Sequence, residues 1–217
     1  MKKIFLIPFL FIYLTNFSQV TLQQLGADID GEVAGDYSGR SVSMNAAGDR
    51  LAIGAYENDG NGSNAGHVRI FNWNGTAWIQ IGADIDGEAA GDYSGRSVSM
   101  NAAGDRVVIG AYYNDGNGSN AGHVRIYDWN GTAWTQLGAD IDGEAANDKS
   151  GFSVSMNAAG DRLAIGAYGN DGNGSNAGHV RIFNWNGTAW TQLGADIDGE
   201  AANDKSGFSV SMNAAGD

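Results

Sequence analysis

A unit running from Gly26 to Ile81 restarts at Gly82 and at Gly138, and a partial copy runs from Gly194 to Asp217. The first two copies differ at only eight positions, so the chain is a tandem duplication. A fixed period of this length is the signature of a repeat architecture. Each unit is one small motif that cannot bury its apolar surface alone and must stack on its neighbours.

Four stretches of the first unit read as strands: Ser41–Asn45, Leu51–Ala55, His67–Trp73 and Ala77–Ile81. They are rich in β-branched or aromatic residues, alternate in polarity and are bordered by turn formers. No stretch carries apolar residues at helical spacing over three turns, which makes the chain all-β. Two connectors are short. Asn45-Ala46-Ala47-Gly48-Asp49 predicts a tight hairpin, and Asn74-Gly75 predicts a two-residue turn with positive φ at both positions. Asn74-Gly75-Thr76 and Asn61-Gly62-Ser63 also match the N-glycosylation pattern, although the hairpin alone accounts for the former. The other connectors, Gly26–Gly39 and Tyr56–Gly66, are long.

Antiparallel strands joined short–long–short–long form a meander with both long loops at one end. The first two strands are built of Val, Met, Leu and Ile between Ser, Ala and Gly, while the last two carry Phe71, Trp73 and Trp78. A sheet narrow at its first strand and broad at its last is a wedge, and wedges pack around an axis. The expected fold is therefore a β-propeller of four-stranded antiparallel blades. Its repeat region, 19–217, divides into 26–81, 82–137, 138–193 and the partial 194–217. Three units and the first strand of a fourth fall short of the roughly four blades of the smallest usual propeller, so an open part of a longer ring is expected. Thr21–Gly26, which matches Ala133–Gly138, is then a fourth-type strand with no preceding three to join.

Gly151-Phe152-Ser153-Val154-Ser155, Gly160-Asp161-Arg162-Leu163-Ala164-Ile165-Gly166-Ala167-Tyr168 and Gly178-His179-Val180-Arg181-Ile182-Phe183 resemble an FG-GAP repeat. The resemblance is to the bacterial secreted form, distantly akin to the propeller of integrin α-subunits, and it covers the chain from about Gly26 onward. Two departures stand out. Tyr56, Tyr112 and Tyr168 occupy the place of the family's proline in Gly-Ala-Pro, and Arg40 and Arg96 replace the aromatic that Phe152 and Phe208 keep. The resemblance implies calcium in the hairpin between the first and second strands. Asn45–Asp49 lacks the ligands for it, so that site does not carry over.

Nearly all acids of a unit lie in the long connectors, hence on one face of the expected disc. Asp28, Asp30, Glu32 and Asp36 place carboxylates at near-alternate positions, and Asp59, Asn61 and Ser63 repeat the pattern of oxygen donors. Their second-unit equivalents include Asp84, Asp86, Glu88, Asp92, Asp115, Asn117 and Ser119. Such oxygens suit Ca2+, which takes six to eight of them, although no helix-flanked loop with a closing bidentate Glu is present. These residues are the candidate cation ligands, against a reading as solvated turns. No other cofactor is indicated. His67, His123 and His179 recur once per unit and are expected as hydrogen-bonded strand-start residues rather than ligands, since a ring of repeats holds them apart. Trp73 and Trp78 are expected to pair across their hairpin.

At the N-terminus, Met1-Lys2-Lys3, an apolar run from Ile4 to Leu14 and Ser18 read as a secretory signal peptide over 1–18. The run is too short for a membrane span, so none is expected after cleavage. Loss of Lys2 and Lys3 takes the net charge from −13 to −15, which disfavours nucleic acid and anionic membranes. There is no cysteine, so an exported chain is held by its core or by ions. Every candidate acid and histidine is repeated in each unit, whereas one substrate needs one asymmetric constellation. The expectation is a non-enzyme: a secreted or cell-surface recognition or adhesion scaffold, cation-dependent through its loops, that takes a protein or glycan ligand on the acidic loop face. No obligate oligomer is implied. Two alternatives stand beside it: a carbohydrate-binding module with the tryptophans at solvent, and the non-catalytic part of a larger secreted enzyme.

Overall fold

The computed structural model describes residues 23–217, so residues 1–18, expected as a signal peptide, and the start of the Thr21–Gly26 segment lie outside the described residues. Among the described residues there is no helix, and so none long and apolar enough to cross a membrane. The chain forms three antiparallel sheets, each one blade of a β-propeller. The first blade holds β1 (Ser41–Met44), β2 (Arg50–Ala55), β3 (His67–Trp73), β4 (Trp78–Gln80) and β5 (Ile85–Asp86). The second holds β6 (Ser94–Met100), β7 (Arg106–Ala111), β8 (His123–Trp129), β9 (Trp134–Gln136) and β10 (Ile141–Asp142). The third holds β11 (Ser153–Met156), β12 (Arg162–Ala167), β13 (His179–Trp185), β14 (Trp190–Gln192) and β15 (Ile197–Asp198).

The strand order is the expected meander, with one addition. The start of the long connector forms a fifth strand, β5, that returns to β3 and pairs Val68 with Ile85 and His67 with Asp86. β4 covers only the second half of β3, through Phe71–Trp73 against Trp78–Gln80. The first half would leave its backbone groups unpaired, and Ile85–Asp86 satisfies them while Ile85 joins the core. Each unit thus lends its opening residues to the blade before it. The last residues, 207–217, carry no strand, and no second strand stands beside them among the described residues.

The cores lie between blades. Successive residues of a strand face opposite sides, and β7 shows the consequence. Val107 and Ile109 join Val68, Ile70 and Ile85 of the first blade, while Val108 joins Val154, Leu163 and Ile165 of the third. Burying each such side chain contributes about 1.5–3 kcal/mol. Near the axis the blades touch through glycine. A Cβ on Gly54 would stand 2.1 Å from the Gly95 carbonyl oxygen, and Ser41 donates a hydrogen bond of 2.6 Å to that same oxygen. The broad edge is filled by tryptophan. Trp73 lies opposite Trp78 with ring centroids 5.5 Å apart, and the Trp78 Nε1–H donates to the Leu25 carbonyl in the segment before the blade.

Both hairpins fall where expected, but the second is wider than Asn74-Gly75 alone. Only Gly75 has positive φ there. The Asn74 side-chain carbonyl instead accepts the backbone N–H of Thr76 and of Ala77, each at 2.9 Å, and the Asn74 N–H donates to the Ala77 carbonyl. The amide side chain thus closes the loop by mimicking a backbone turn. In the other hairpin, Asn45 Oδ1 takes the N–H of Asp49 and Arg50, and its Nδ2 holds Asp49 Oδ1 at 2.7 Å. The oxygens of that turn are committed to folding it.

Candidate functional site

The meander puts the long loops of every blade at the end opposite the hairpins, where they meet. The Asn58 amide donates to Asp36 Oδ2 at 2.9 Å, and the Glu57 N–H reaches the Asp36 carbonyl. A cleft of about 470 Å³ between them is lined by Glu32, Asp36, Glu57, Asp59 and Ser63. Asp28, Asp30 and Asn61 do not line it. Asp28 accepts from Gln24, the Asp30 carbonyl accepts from Arg69, and Asn61 donates to the Gly87 carbonyl of the next unit. Asp36 is buried, with Oδ2 also accepting the Val33 N–H, and Asp59 Oδ1 caps the Asn64 N–H at 2.7 Å.

The second unit repeats these roles. Asp92 is buried and accepts from Ala89 and Asn114, Asp115 caps Asn120, and Asn117 donates to Gly143. The Ser119 carbonyl accepts from Asn147, and the Asp86 carbonyl, on β5, accepts from Arg125. One carboxylate oxygen each of Asp28, Asp36, Asp59, Asp92 and Asp115 therefore shapes a loop, while Asp30, Asn61, Asp86, Asn117 and Ser119 tie segments together through backbone carbonyls or the amide N–H.

Glu32, Asp84 and Glu88 are placed differently, and the histidines with them. β5 pairing sets Asp84 beside His67, and Arg69 holds the Asp30 carbonyl at 2.7 Å, which brings Glu32 to the same place. His67 Nδ1 lies 3.9 Å from Glu32 Oε2 and 3.8 Å from Asp84 Oδ2. His123 stands in the same relation to Glu88 and Asp140, and His179 to Glu144 and Asp196. In each group the donor atoms lie within 4.8 Å of one another. The three rings are 1% exposed, and Nε2 of each has no hydrogen-bond partner among the described residues. These are not the hydrogen-bonded strand-start residues the sequence led us to expect. A ring walled in by two sheets finds no acceptor within reach, and its polar neighbours are the carboxylates. Burial pushes the His123 and His179 imidazoles below their ordinary range, with Arg125 and Arg181 adding to the effect, so both are neutral near pH 7.

A family model for the FG-GAP repeat matches the chain three times, over residues 27–71, 84–127 and 139–183. The chain belongs to the FG-GAP repeat family. Each matched segment covers the first three strands of one blade, and the second and third also take in the fifth strand that their opening residues lend to the blade before. No curated protein matched the chain. Among solved structures, it is similar to the hydrazine synthase of Kuenenia stuttgartiensis, at 12% identity and a TM-score of 0.46 over 73% of this chain and 36% of that one. It is also similar to a proposed 6-phosphogluconolactonase from Bacteroides uniformis, at 10% identity and a TM-score of 0.47 over 72% of this chain and 40% of that one. The chain thus spans well under half the length of either.

The departures from the FG-GAP pattern gather on the loop face. Tyr56, Tyr112 and Tyr168 are rungs of an aromatic ladder that crosses all three blades. It runs Tyr37, Tyr56, Tyr93, Tyr112, Phe152, Tyr168 and Phe208, with successive centroids 4.6–5.9 Å apart. Arg96, standing where an aromatic is usual, lies over the Phe152 ring at 4.3 Å. FG-GAP units this similar also show where they are free to differ. Across the three copies, changes of chemical character fall on the loop side at Gly35/Gly91/Asn147, Tyr37/Tyr93/Lys149, Arg40/Arg96/Phe152 and Glu57/Tyr113/Gly169, and at the opposite end of the blade at Asn72/Asp128/Asn184 and Ile79/Thr135/Thr191. Tyr113 stacks on Tyr112 at 4.1 Å and sits 5.5 Å from the Lys149 ammonium, which also lies 5.0 Å from Tyr168. The four divergent loop positions therefore form one patch. Aligning the copies position by position would have found them in the sequence, but only the fold shows that they adjoin.

Proposed function

We propose that the chain is a non-catalytic recognition scaffold of the cell exterior that binds a protein or glycan ligand on its loop face. The observation that carries this reading is the patch at Tyr37, Arg40, Glu57 and their counterparts. Copies that hold frame residues nearly constant change charge and shape at adjoining half-exposed positions on one face. Loops set on a rigid frame and varied independently of it are how repeat folds tune binding. The partly exposed aromatic ladder beside acidic clefts offers stacking area and fixed charge together, the mix typical of binding hot spots. FG-GAP repeats are typical of extracellular or cell-surface proteins, which agrees with the reading of residues 1–18 as an export signal. The recurrence of the same Glu–His–Asp group in all three blades supports a non-enzyme, since one substrate needs one asymmetric constellation.

The test is a binding screen of the purified chain against glycan and surface-protein arrays, alongside Tyr113→Glu/Lys149→Tyr and Trp134→Phe/Trp190→Phe variants. Binding abolished by the loop pair and kept by the tryptophan pair supports the loop face. The reverse pattern would transfer the function to a carbohydrate module at the broad edge. The tryptophans are only half-buried, so that alternative retains a physical basis.

A further inference from the structure

We propose that each Glu–His–Asp group is a binding site for a divalent transition-metal ion of zinc's kind, one per blade: Glu32–His67–Asp84, Glu88–His123–Asp140 and Glu144–His179–Asp196. This stands apart from the recognition reading, and either can fail alone.

Three features carry it. The first is spacing. His67 Nδ1 stands 3.8–3.9 Å from one oxygen of each acid, beyond hydrogen-bond range. Two ligands each about 2.1 Å from a common zinc ion lie roughly 3.4 Å apart at tetrahedral angles. The two histidine–carboxylate distances reach that value with a movement of about half an ångström by flexible carboxylates, 43% and 30% exposed, toward a fixed ring, and all three donor atoms already lie within 4.8 Å of one another. The second is the buried histidine itself. His179 Nδ1, which faces Glu144 and Asp196, has no hydrogen-bond partner among the described residues, and burying a polar nitrogen with none costs about 1–3 kcal/mol. Bonding to a metal removes that cost.

The third is how the acids are held. Asp84 Oδ1 is taken by the Gln80 amide at 2.6 Å, which leaves Oδ2 for the site. Glu32 turns Oε1 to Arg69 and Oε2 to His67. Outer contacts of this sort orient ligands in metal centres. The donor set of one imidazole and two carboxylates suits zinc or a neighbouring transition metal, whereas calcium seeks six to eight oxygens. Because Glu88 follows β5 of the first blade while His123 and Asp140 belong to the second, the ion joins consecutive blades. The chain has three histidines in all, and each is in one such group.

The experiment is calorimetric titration of the chain with ZnCl2 near neutral pH, repeated with CaCl2, and visible absorption with CoCl2. The expected result is three zinc equivalents per chain, cobalt bands of a low-symmetry nitrogen–oxygen site, and no displacement of zinc by millimolar calcium. Glu88→Gln/Asp140→Asn, both at solvent-reached positions, is expected to bind two equivalents with an unchanged circular dichroism spectrum. His123→Asn gives a second route to the same loss. No saturable zinc binding up to about 1 mM (the Kd of the weakest extracellular cation modules), or three equivalents retained by either variant, would overturn the proposal.

Discussion

Gly110→Ala tests the packing of blade against blade with a single methyl group. Gly110 has no positive φ, so alanine suits its backbone, and any cost arises from space. The added Cβ would lie 2.0 Å from the Gly151 carbonyl oxygen and 2.5 Å from Ser97 Oγ. Real Cβ atoms stay beyond 3.0 Å, so the second and third blades must part by about an ångström at this point. That movement also stretches the 2.7 Å hydrogen bond from Ser97 Oγ to the Gly151 carbonyl past its range. Overpacking of this kind costs about 1–3 kcal/mol and the lost bond about 1 kcal/mol, for a total of roughly 2–4 kcal/mol. Gly131→Ala is the control. It has φ +99° and no atom within 4 Å, so only backbone strain of about 1 kcal/mol applies. Urea melts give the totals, and amide exchange gives the location, because repeat proteins lose stability at the interface disturbed. The Ala102 N–H bonds the Ala158 carbonyl across the second and third blades, and the Ala46 N–H bonds the Ala102 carbonyl across the first and second. Gly110→Ala should speed exchange at Ala102 far more than at Ala46. A melt within about 0.5 kcal/mol of wild type, the usual range for neutral surface changes, or equal acceleration at both amides, would refute the reasoning.

Asn101→Ala removes the amide that accepts the Arg106 N–H and holds Asp105 at 2.7 Å in a buried hairpin, and should cost about 1–3 kcal/mol in a urea melt. Trp134→Phe deletes the hydrogen bond to the Ile81 carbonyl and should cost about 1–2 kcal/mol while leaving loop-face binding intact, as read by melt and array together. In chelator, stability should fall as pH drops below about 6.5. His123, faced by Glu88, Asp92, Asp140 and Arg125, has a folded pKa below 6.5, so the unfolded chain takes up protons first. Above 6.5 both states are neutral and the curve is flat, and His123→Asn/His179→Asn should flatten the acid side as well.

The period and the strand content were legible because the blade is a local object. Alternation, turn formers and the gradient from Ser and Gly to Trp lie within a single repeat, and they name the meander without reference to neighbours. What the sequence hid depends on return contacts. Ile85–Asp86 is too short to announce a strand and becomes one only because β3 has unpaired backbone beside it. The same return brings Asp84 back to His67, and Glu32 reaches that histidine from the loop before β1. Glu32, Asp84 and Glu88 stand out in the sequence as acids in a loop, but their histidine partner does not, because the ring of repeats holds the histidines apart from one another. The relevant neighbours were carboxylates of adjoining segments. Asp36, Asp59 and Asn61 read as ligands in the sequence because the side chains that fold a Gly-rich loop are of the same kinds that bind cations, and in the fold they bridge loop segments.

On this reading the divergent loop positions serve recognition and not folding. It is tested most directly by giving the first unit the third unit's residues in one variant, Gly35→Asn, Tyr37→Lys, Arg40→Phe and Glu57→Gly, and measuring its binding profile on the same arrays beside its urea melt. A melt within about 1 kcal/mol of wild type is expected, since these side chains lie outside the inter-blade cores, together with a changed set of bound probes. An unchanged binding profile, or a loss of several kcal/mol in stability, would contradict it.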